Sequence, residues 1–326
     1  MTPAPAGVPT TAAIASYNGR ELLETVLPSL AAQRFRDFRT VVIDDGSSDG
    51  TVEWLARRWP DVEVVALPRN VGVTAALNVC LRAGAESELV VLLNNDLELD
   101  PDCLGELVRA MGENPNAGSA GAKLLDFYDR SVLDGAGDVL DWAGTGWRRG
   151  HGEPDDGRYD APQAIFGLCG GAAIYRRAAL EDVGEFDESF FAFVEDTDWA
   201  LRAQLAGWSA RYVPTAVAFH MGSATIGAGM SDFTRYHLWR NSVWLIAKDF
   251  PLAALVRRAP RILYVQAAQL YLATRAGKLG LWLRIMRDAA RGLPAALQRR
   301  RDVQRRRRVS VRELERVVTA DQRPAR

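Results

Sequence analysis

Residues 88–100, ELVVLLNNDLELD, decide how this chain is read. Five consecutive apolar residues, Leu89 to Leu93, stop at Asn94, Asn95 and Asp96. A short apolar run rich in branched aliphatic side chains predicts a strand buried on both faces. The polar triplet then falls at the carboxyl end of that strand, where ligands bind in open α/β sheets. A carboxylate in that place points to a divalent cation or to a hydrogen-bonded loop.

On the amino-terminal side, strands and helices alternate. Residues 8–15 read as a strand ending in Ser16-Tyr17-Asn18-Gly19, and 21–33 as a helix with Leu22, Leu23, Val26, Leu27 and Leu30 on one face. A second strand, 38–43, runs into Asp44, Asp45 and a Gly/Ser/Asp loop. Ser48 or Asp49 there is placed to cap a helix over 51–59. A third strand at 62–67 and a helix at 74–83 lead to the opening stretch. This alternation predicts βαβ units and a mainly parallel sheet, with successive strands placing carboxylates on one edge.

On the carboxyl side, Pro101 opens a helix over 101–114 at a position where its missing N–H costs little. A strand of small residues follows at 117–124. Residues 126–162 are rich in Gly, Asp and Trp without periodicity; a stretch of that length inside a domain is usually functional or mobile, and it reads as an acceptor-side flap. Strands at 170–176 and 210–220 bracket an acidic segment, 183–205.

With 326 residues, 48% of them hydrophobic, the chain can bury one large core or two smaller ones. Its net charge of −1 conceals an asymmetry: residues 1–249 carry 21 Lys and Arg against 36 Asp and Glu, and residues 250–326 carry 19 against 5. An acidic body and a basic tail suited to a polyanion follow from that split. The three cysteines, Cys80, Cys103 and Cys169, show neither pairing nor metal spacing, which fits a reducing compartment. The first residues lack a basic segment and contain prolines, unlike a signal peptide. The longest charge-free apolar stretch near the C-terminus, 262–274, has 13 residues, short of the roughly 20 needed to span a bilayer.

Beyond Asp232 the pattern turns helical, over 238–250 and 252–285, with Trp239, Trp244, Tyr264, Tyr271 and Trp282 among recurring arginines. Two readings stand: a helical subdomain packed on the sheet, or an interfacial surface lying on anionic lipid. Residues 299–308 hold seven arginines, a run equally compatible with nucleic acid, membrane or a solvated face.

The ordered strings ASYNG, VVIDDGSSDGT, RNVGVTAALN and LLNNDLELDPDCL, followed by GLCGGAAIYRR and VGEFDESFFAFVEDTDWALRAQLAGWSARYVPTAVAFH, resemble the inverting family 2 glycosyltransferases, in particular their rhamnosyltransferase and galactofuranosyltransferase branch. The resemblance covers about residues 8–241. It implies a GT-A fold: a mixed, mainly parallel nucleotide-binding α/β sheet flanked by helices. The expected division is a GT-A domain over 1–231, with a donor half about 8–124 and an acceptor half about 125–231, then a helical basic extension over 232–326.

The chemistry makes these residue types intelligible. A nucleotide-sugar donor loses its diphosphate readily when a divalent cation neutralises the developing charge. The resemblance aligns Asn94-Asn95-Asp96 with an Asp-x-Asp-like metal triplet, but only the third position here is acidic. Asp96 is thus the expected ligand for Mg²⁺ or Mn²⁺, with Glu98 as a fallback and Asn94 and Asn95 toward ribose or diphosphate. His220, after the strand at 211–219, is the implied second ligand; without the resemblance, a lone histidine there is more often structural. Asp45, supported by Asp44, is implied to accept the imide N–H of uracil or thymine. Ala15 offers only its backbone to the base, and Tyr17 and Asn70 (with Arg69) complete the donor side, although the latter two residues also suit helix capping.

Inversion needs one base and no covalent nucleophile. The resemblance assigns that base to the Glu195-Asp196 motif, with Asp196 as base; a plain reading makes it an N-capping acid. Asp198 and Arg202 suit a helical ion pair. The implied reaction moves a rhamnose-like or other hexose from a UDP- or dTDP-sugar to a polysaccharide or lipid-linked glycan. The implied location is cytoplasmic, peripheral on the inner membrane face, with no nucleic-acid partner. A nucleotidyltransferase on the same fold and a non-catalytic membrane adaptor are the competing readings.

Overall fold

β4 (Leu89–Asn94) lies at the middle of a ten-stranded mixed sheet in the order β10-β12-β6-β11-β4-β1-β2-β3, with β5 added to β12 and β7 to β6. The coordinates are a computed structural model that describes residues 8–168, 170–222 and 231–318. In chain order the sheet and its helices are β1 (Thr10–Ser16), α1 (Arg20–Ala31), β2 (Phe38–Asp44), α2 (Thr51–Arg58), β3 (Glu63–Ala66), α3 (Val73–Ala83), β4, β5 (Leu97–Leu99), α4 (Cys103–Glu113) and β6 (Ala117–Asp126). Then come β7 (Leu133–Gly135), β8 (Asp138–Leu140), β9 (Gly146–Arg148), β10 (Gln163–Ile165), β11 (Ala172–Arg176), α5 (Arg177–Val183), α6 (Glu195–Leu205) and β12 (Ser209–His220). Four helices end the chain: α7 (Asp232–Asp249), α8 (Leu252–Arg275), α9 (Leu279–Arg306) and α10 (Val311–Val317).

The unbroken apolar run of β4 has a direct cause. Leu89, Val91 and Leu93 enter the core on one face, while Val90 and Leu92 enter the core on the other. Both faces are therefore covered, as alternation by two residues requires. β1, β2 and β3 run parallel to it, so their carboxyl ends share one edge with Asn94. The mainly parallel sheet holds in this half and in the β12–β6 pair. β5, β7 and β10 pair antiparallel at the far side, and β11, antiparallel to both β4 and β6, joins the two halves into one sheet.

Two expectations need correction. Residues 126–162 are not structureless: β7 pairs with β6, β8 and β9 form a hairpin, and buried Lys123 ties the segment down through Asp155 (2.9 Å) and Asp160 (2.5 Å). Three-residue strands rich in Gly and Asp carry no readable period. The single helix expected over 252–285 breaks after Arg275, where Gly277 (φ 67°) lets Lys278 N–H reach Ala273 O and Gly277 N–H reach Thr274 O. Those two bonds make a Schellman stop, which a glycine accommodates without strain.

The extension packs on the body through a shared core: Leu140, Trp142, Phe166, Leu201 and Leu205 with Leu245, Phe250, Ala254 and Leu314. Part of the arginine run bonds to the body. Arg299 bonds Asp187 and Ser189, Arg300 bonds the carbonyls of Ala247 and Phe250, and Arg306 and Arg308 bond Asp182. Among the described residues, no helix is long and apolar enough to cross a membrane. Cys80 and Cys103 are buried free thiols, and Cys169 lies outside the described residues.

Candidate active site

The parallel strands β4, β1 and β2 set the floor of the site. Ala15 pairs in register with Asn94, and Ser16 with Asp44, so the first two βα loops and the Asn94–Asp96 turn emerge side by side. Asn95 Nδ2 donates to Ser16 Oγ (3.1 Å), and Tyr17 stands exposed beyond it. Asn18 ties the first loop to the second by accepting from Ser48 N–H (2.8 Å). The N-cap of α2 is Gly50 (φ 80°), without a side-chain cap, in place of the expected Ser48 or Asp49; Asp49, one residue before it, accepts from Thr51 N–H (3.1 Å).

Asp44 and Asp45 are both buried and differ in what they hold. Asp45 accepts from Val71 N–H (2.7 Å) and Gly72 N–H (3.2 Å), fixing the loop after β3. Burial raises its carboxyl above the usual range despite those amides. Asp44 Oδ2 accepts from Ser47 N–H (3.0 Å), while its Oδ1 is buried with no partner. A buried acceptor without a donor is costly, and such atoms mark sites that a ligand completes. Asn70 Oδ1 accepts from Gly72 N–H (3.0 Å).

Asp96 and His220 come together although 124 residues separate them. β12 pairs with β5, which places His220 opposite Leu97, and Met221 N–H donates to Asp96 O (3.0 Å). His220 Nε2 lies 3.2 Å from Asp96 Oδ1, both side chains being buried. On its far side His220 Nδ1 meets Asp134 Oδ2 at 2.8 Å. Asp134, on β7, is also bonded by Arg148 Nη1 (2.6 Å). Burial alone would lower the His220 pKa, but the hydrogen bonds to Asp134 and Asp96 push it up to about 9. Glu98 pairs instead with Arg130 (2.7 Å), away from this cluster.

This donor set fits a hard cation of the Mn²⁺ or Mg²⁺ kind. An oxygen and an imidazole nitrogen suit Mn²⁺, which would displace the Nε2 proton that the two aspartates favour, and 3.2 Å between the two atoms would let one ion touch both at bonds of about 2.1 Å. Asp134 holds the imidazole by its other nitrogen, the usual support for a metal-binding histidine. Among the described residues no group of three or more His, Cys, Asp or Glu forms a complete cage.

Glu195 and Asp196 are the first two residues of α6, which starts two residues before the helix expected at 197–205, so that Val194 and not Asp196 is its N-cap. Asp196 Oδ1 accepts from Thr197 N–H (2.6 Å) and Oγ1 (3.2 Å). Its Oδ2 lies 3.6 Å from where a Cβ on Gly170 would be. Gly171 O in turn accepts from Asn94 N–H (2.8 Å), so α6 reaches the same edge of β4 from the acceptor side. Glu195 Oε2 is buried without a partner. Burial, then the neighbouring Asp196 charge, pushes the Glu195 carboxyl up to about 8. The Asp198–Arg202 pair forms at 2.8 Å.

Sequence reasoning missed Asp134 and Arg148. Both sit in the segment read as a flap, and Asp134 meets its histidine 86 residues downstream. An aspartate in a glycine-rich stretch carries no local signal of such a partner.

Residues 11–184 match the model of the family described as glycosyl transferase family 2. The chain is 27% identical to the N-acetylglucosaminyl-diphospho-decaprenol L-rhamnosyltransferase of Mycobacterium tuberculosis, an alignment covering 68% of this chain and 79% of that one. It is 25% identical to the poly-beta-1,6-N-acetyl-D-glucosamine synthase of Staphylococcus epidermidis, covering 73% and 55%. Among solved structures it resembles the mannosyltransferase PcManGT from Pyrobaculum calidifontis in complex with GDP-Man and Mn²⁺, with a TM-score of 0.55, 20% identity, and 96% and 87% of the chains covered.

Proposed function

This chain belongs to glycosyltransferase family 2, and from that premise we propose that it is an inverting, metal-assisted transferase. It moves a rhamnose-like or other hexose from a UDP- or dTDP-sugar to a hydroxyl of a polysaccharide or lipid-linked glycan. The supporting observation is convergence: the Asp44–Asp45 pair, the Asp96–His220 pair and Asp196 gather at one end of β1, β2 and β4. Asp44 and Asp45 recognise the base, Asp44 Oδ1 offering the unpartnered acceptor. Ala15, Tyr17, Asn70, Asn94 and Asn95 line the nucleotide. Asp96 and His220 would hold Mg²⁺ or Mn²⁺, and the ion would supply positive charge against the diphosphate leaving group. Asp196 takes the acceptor hydroxyl proton as that oxygen attacks the anomeric carbon from the face opposite the diphosphate.

Two measurements test this. Titration calorimetry of UDP and dTDP, with and without Mn²⁺, should show metal-dependent binding, which a non-catalytic adaptor would lack. A donor panel of UDP-glucose, UDP-galactose, UDP-N-acetylglucosamine and dTDP-L-rhamnose should give a product whose anomeric configuration, read by proton NMR, is opposite to the donor's. A product with retained configuration would rule the mechanism out.

A second reading concerns the extension. α8 has two buried residues in 24, Ala254 and Ala273, and exposes Leu252, Val256, Leu263, Tyr264 and Tyr271. An amphipathic helix with apolar and aromatic side chains outward and arginines beside them suits an anionic lipid surface. The domain division follows the same line: a GT-A body over 1–231 and a membrane-facing extension over 232–326.

A further inference from the structure

The turn that leads into α6 is held from outside the sheet. Phe191, Phe193 and Val194 have φ of 67°, 64° and 73°, in the left-handed region that disfavours side chains with a Cβ. Val194, being β-branched, is the least suited of the three. Three such residues within four persist only where the surroundings over-determine them, and such strain gathers at working sites.

The surroundings here are α7. Asn241 is fully buried, and its Nδ2 donates to three carbonyls of the turn: Phe190 (3.1 Å), Ala192 (2.9 Å) and Phe193 (2.8 Å). Arg240 Nε donates to Asn241 Oδ1 (2.9 Å), which fixes the amide with its nitrogen toward the turn. Arg240 Nη2 adds a bond to Phe190 O (2.9 Å). Two helical turns later, buried Lys248 pairs with Asp187 (2.7 Å) before the turn and with Asp198 inside α6. α7 thus grips the segment at both ends and along its carbonyls. On the opposite side Thr74 N–H donates to Phe191 O (3.3 Å), and the Phe191 ring lies 2.6 Å from where a Cβ on Gly72 would be. Gly72 belongs to the loop held by Asp45.

We infer that α7 is a clamp on the active site: Asn241, oriented by Arg240, holds the 190–194 turn in its left-handed form so that Glu195 and Asp196 are presented at the edge of β4. Asn241 is a positioning residue, and its assignment rests on the reading of Asp196 as base. The extension then serves the chemistry directly, besides any surface it offers.

The test uses the full chain with Asn241→Ala and the milder Asn241→Ser, which keeps one donor. Displacing a reacting group by about 1 Å costs about 10²-fold in rate. In Asn241→Ala, kcat should fall by about that factor on the donor that the panel identifies. Its Mn²⁺ affinity should stay within about twofold, because Asp96 and His220 lie on other elements, away from the Phe191–Gly72 contact. Amide hydrogen exchange over residues 190–197 should quicken. Adding Val194→Gly, which suits a positive φ, should return about tenfold in kcat. If Asn241→Ala does not fold, Asn241→Ser carries the same comparison. Wild-type kcat, a loss shared equally by Mn²⁺ affinity, or no recovery on adding Val194→Gly would each overturn the clamp. The two readings fail separately: transfer surviving in Asp196→Asn removes the base but leaves the exchange result, whereas unchanged exchange and kcat in Asn241→Ala removes the clamp and leaves the base.

Discussion

Glu195 and Asp196 are adjacent carboxyls with unequal surroundings. Glu195 is pushed up to about 8 by burial and by the Asp196 charge, while Asp196 is raised by burial against the opposing Thr197 bonds. Glu195 thus holds its proton to the higher pH, up to about 8, and the two carboxyls titrate as a pair. The rate should rise as pH climbs through the Asp196 pKa, above the ordinary carboxylate range, and bend again near 8. Glu195→Gln should abolish the upper bend and keep the lower limb in a pH profile of kcat. Both carboxyls are raised on folding, so the stability they contribute is present below their unfolded values and lost as pH rises through their folded ones. Urea unfolding at pH 6 and pH 9 should therefore show a smaller loss in Glu195→Gln than in the wild type. At the proposed metal pair, Asp134→Asn should weaken the hold on His220 Nδ1, and such second partners are worth about 10–100-fold in metal affinity. Mn²⁺ titration followed by electron paramagnetic resonance, with UDP present, reads that change without any turnover.

At the scale of the element, the α8–α9 break rests on Gly277. Gly277→Ala forces a Cβ onto φ 67°, at a cost of about 1–2 kcal/mol, which urea unfolding should detect. β4 was legible in sequence because its two faces enter two core layers, leaving five apolar residues in a row and a sharp polar end. The βα units around it were legible for the same reason, to within a residue or two at their ends. β7, β8 and β9 were not, since three-residue strands are defined by their partners rather than by a period. The resemblance pointed to Asp96 and His220, whose side chains meet at 3.2 Å; nothing in the sequence pointed to Asp134 and Asn241, because their contacts lie 86 and about 50 residues away along the chain. The arginine run misled for a related reason, as its carboxylate partners Asp182 and Asp187 sit on the distant acidic body.

The whole molecule joins an acidic body to a basic extension, and the interface uses part of that opposition. Asp198 and Asp187 meet Lys248 and Arg299 beneath the shared core, which couples the helix carrying Asp196 to α7 and α9. The outward face of α8 adds an apolar stripe beside arginines. Sedimentation with anionic vesicles should show binding at low salt that weakens as salt screens the arginines. Val256→Glu with Leu263→Glu should reduce it, and absence of binding at low salt would set the membrane reading aside.

The central claim is that one carboxylate, Asp196, drives single displacement at this edge of the sheet. Its most direct test is sugar transfer by Asp196→Asn, with UDP and Mn²⁺ affinity measured on the same preparation. Removal of a general base typically costs about 10²–10⁴-fold in rate. We expect transfer to fall within that range while nucleotide and metal affinity hold. Transfer at the wild-type rate would contradict the account.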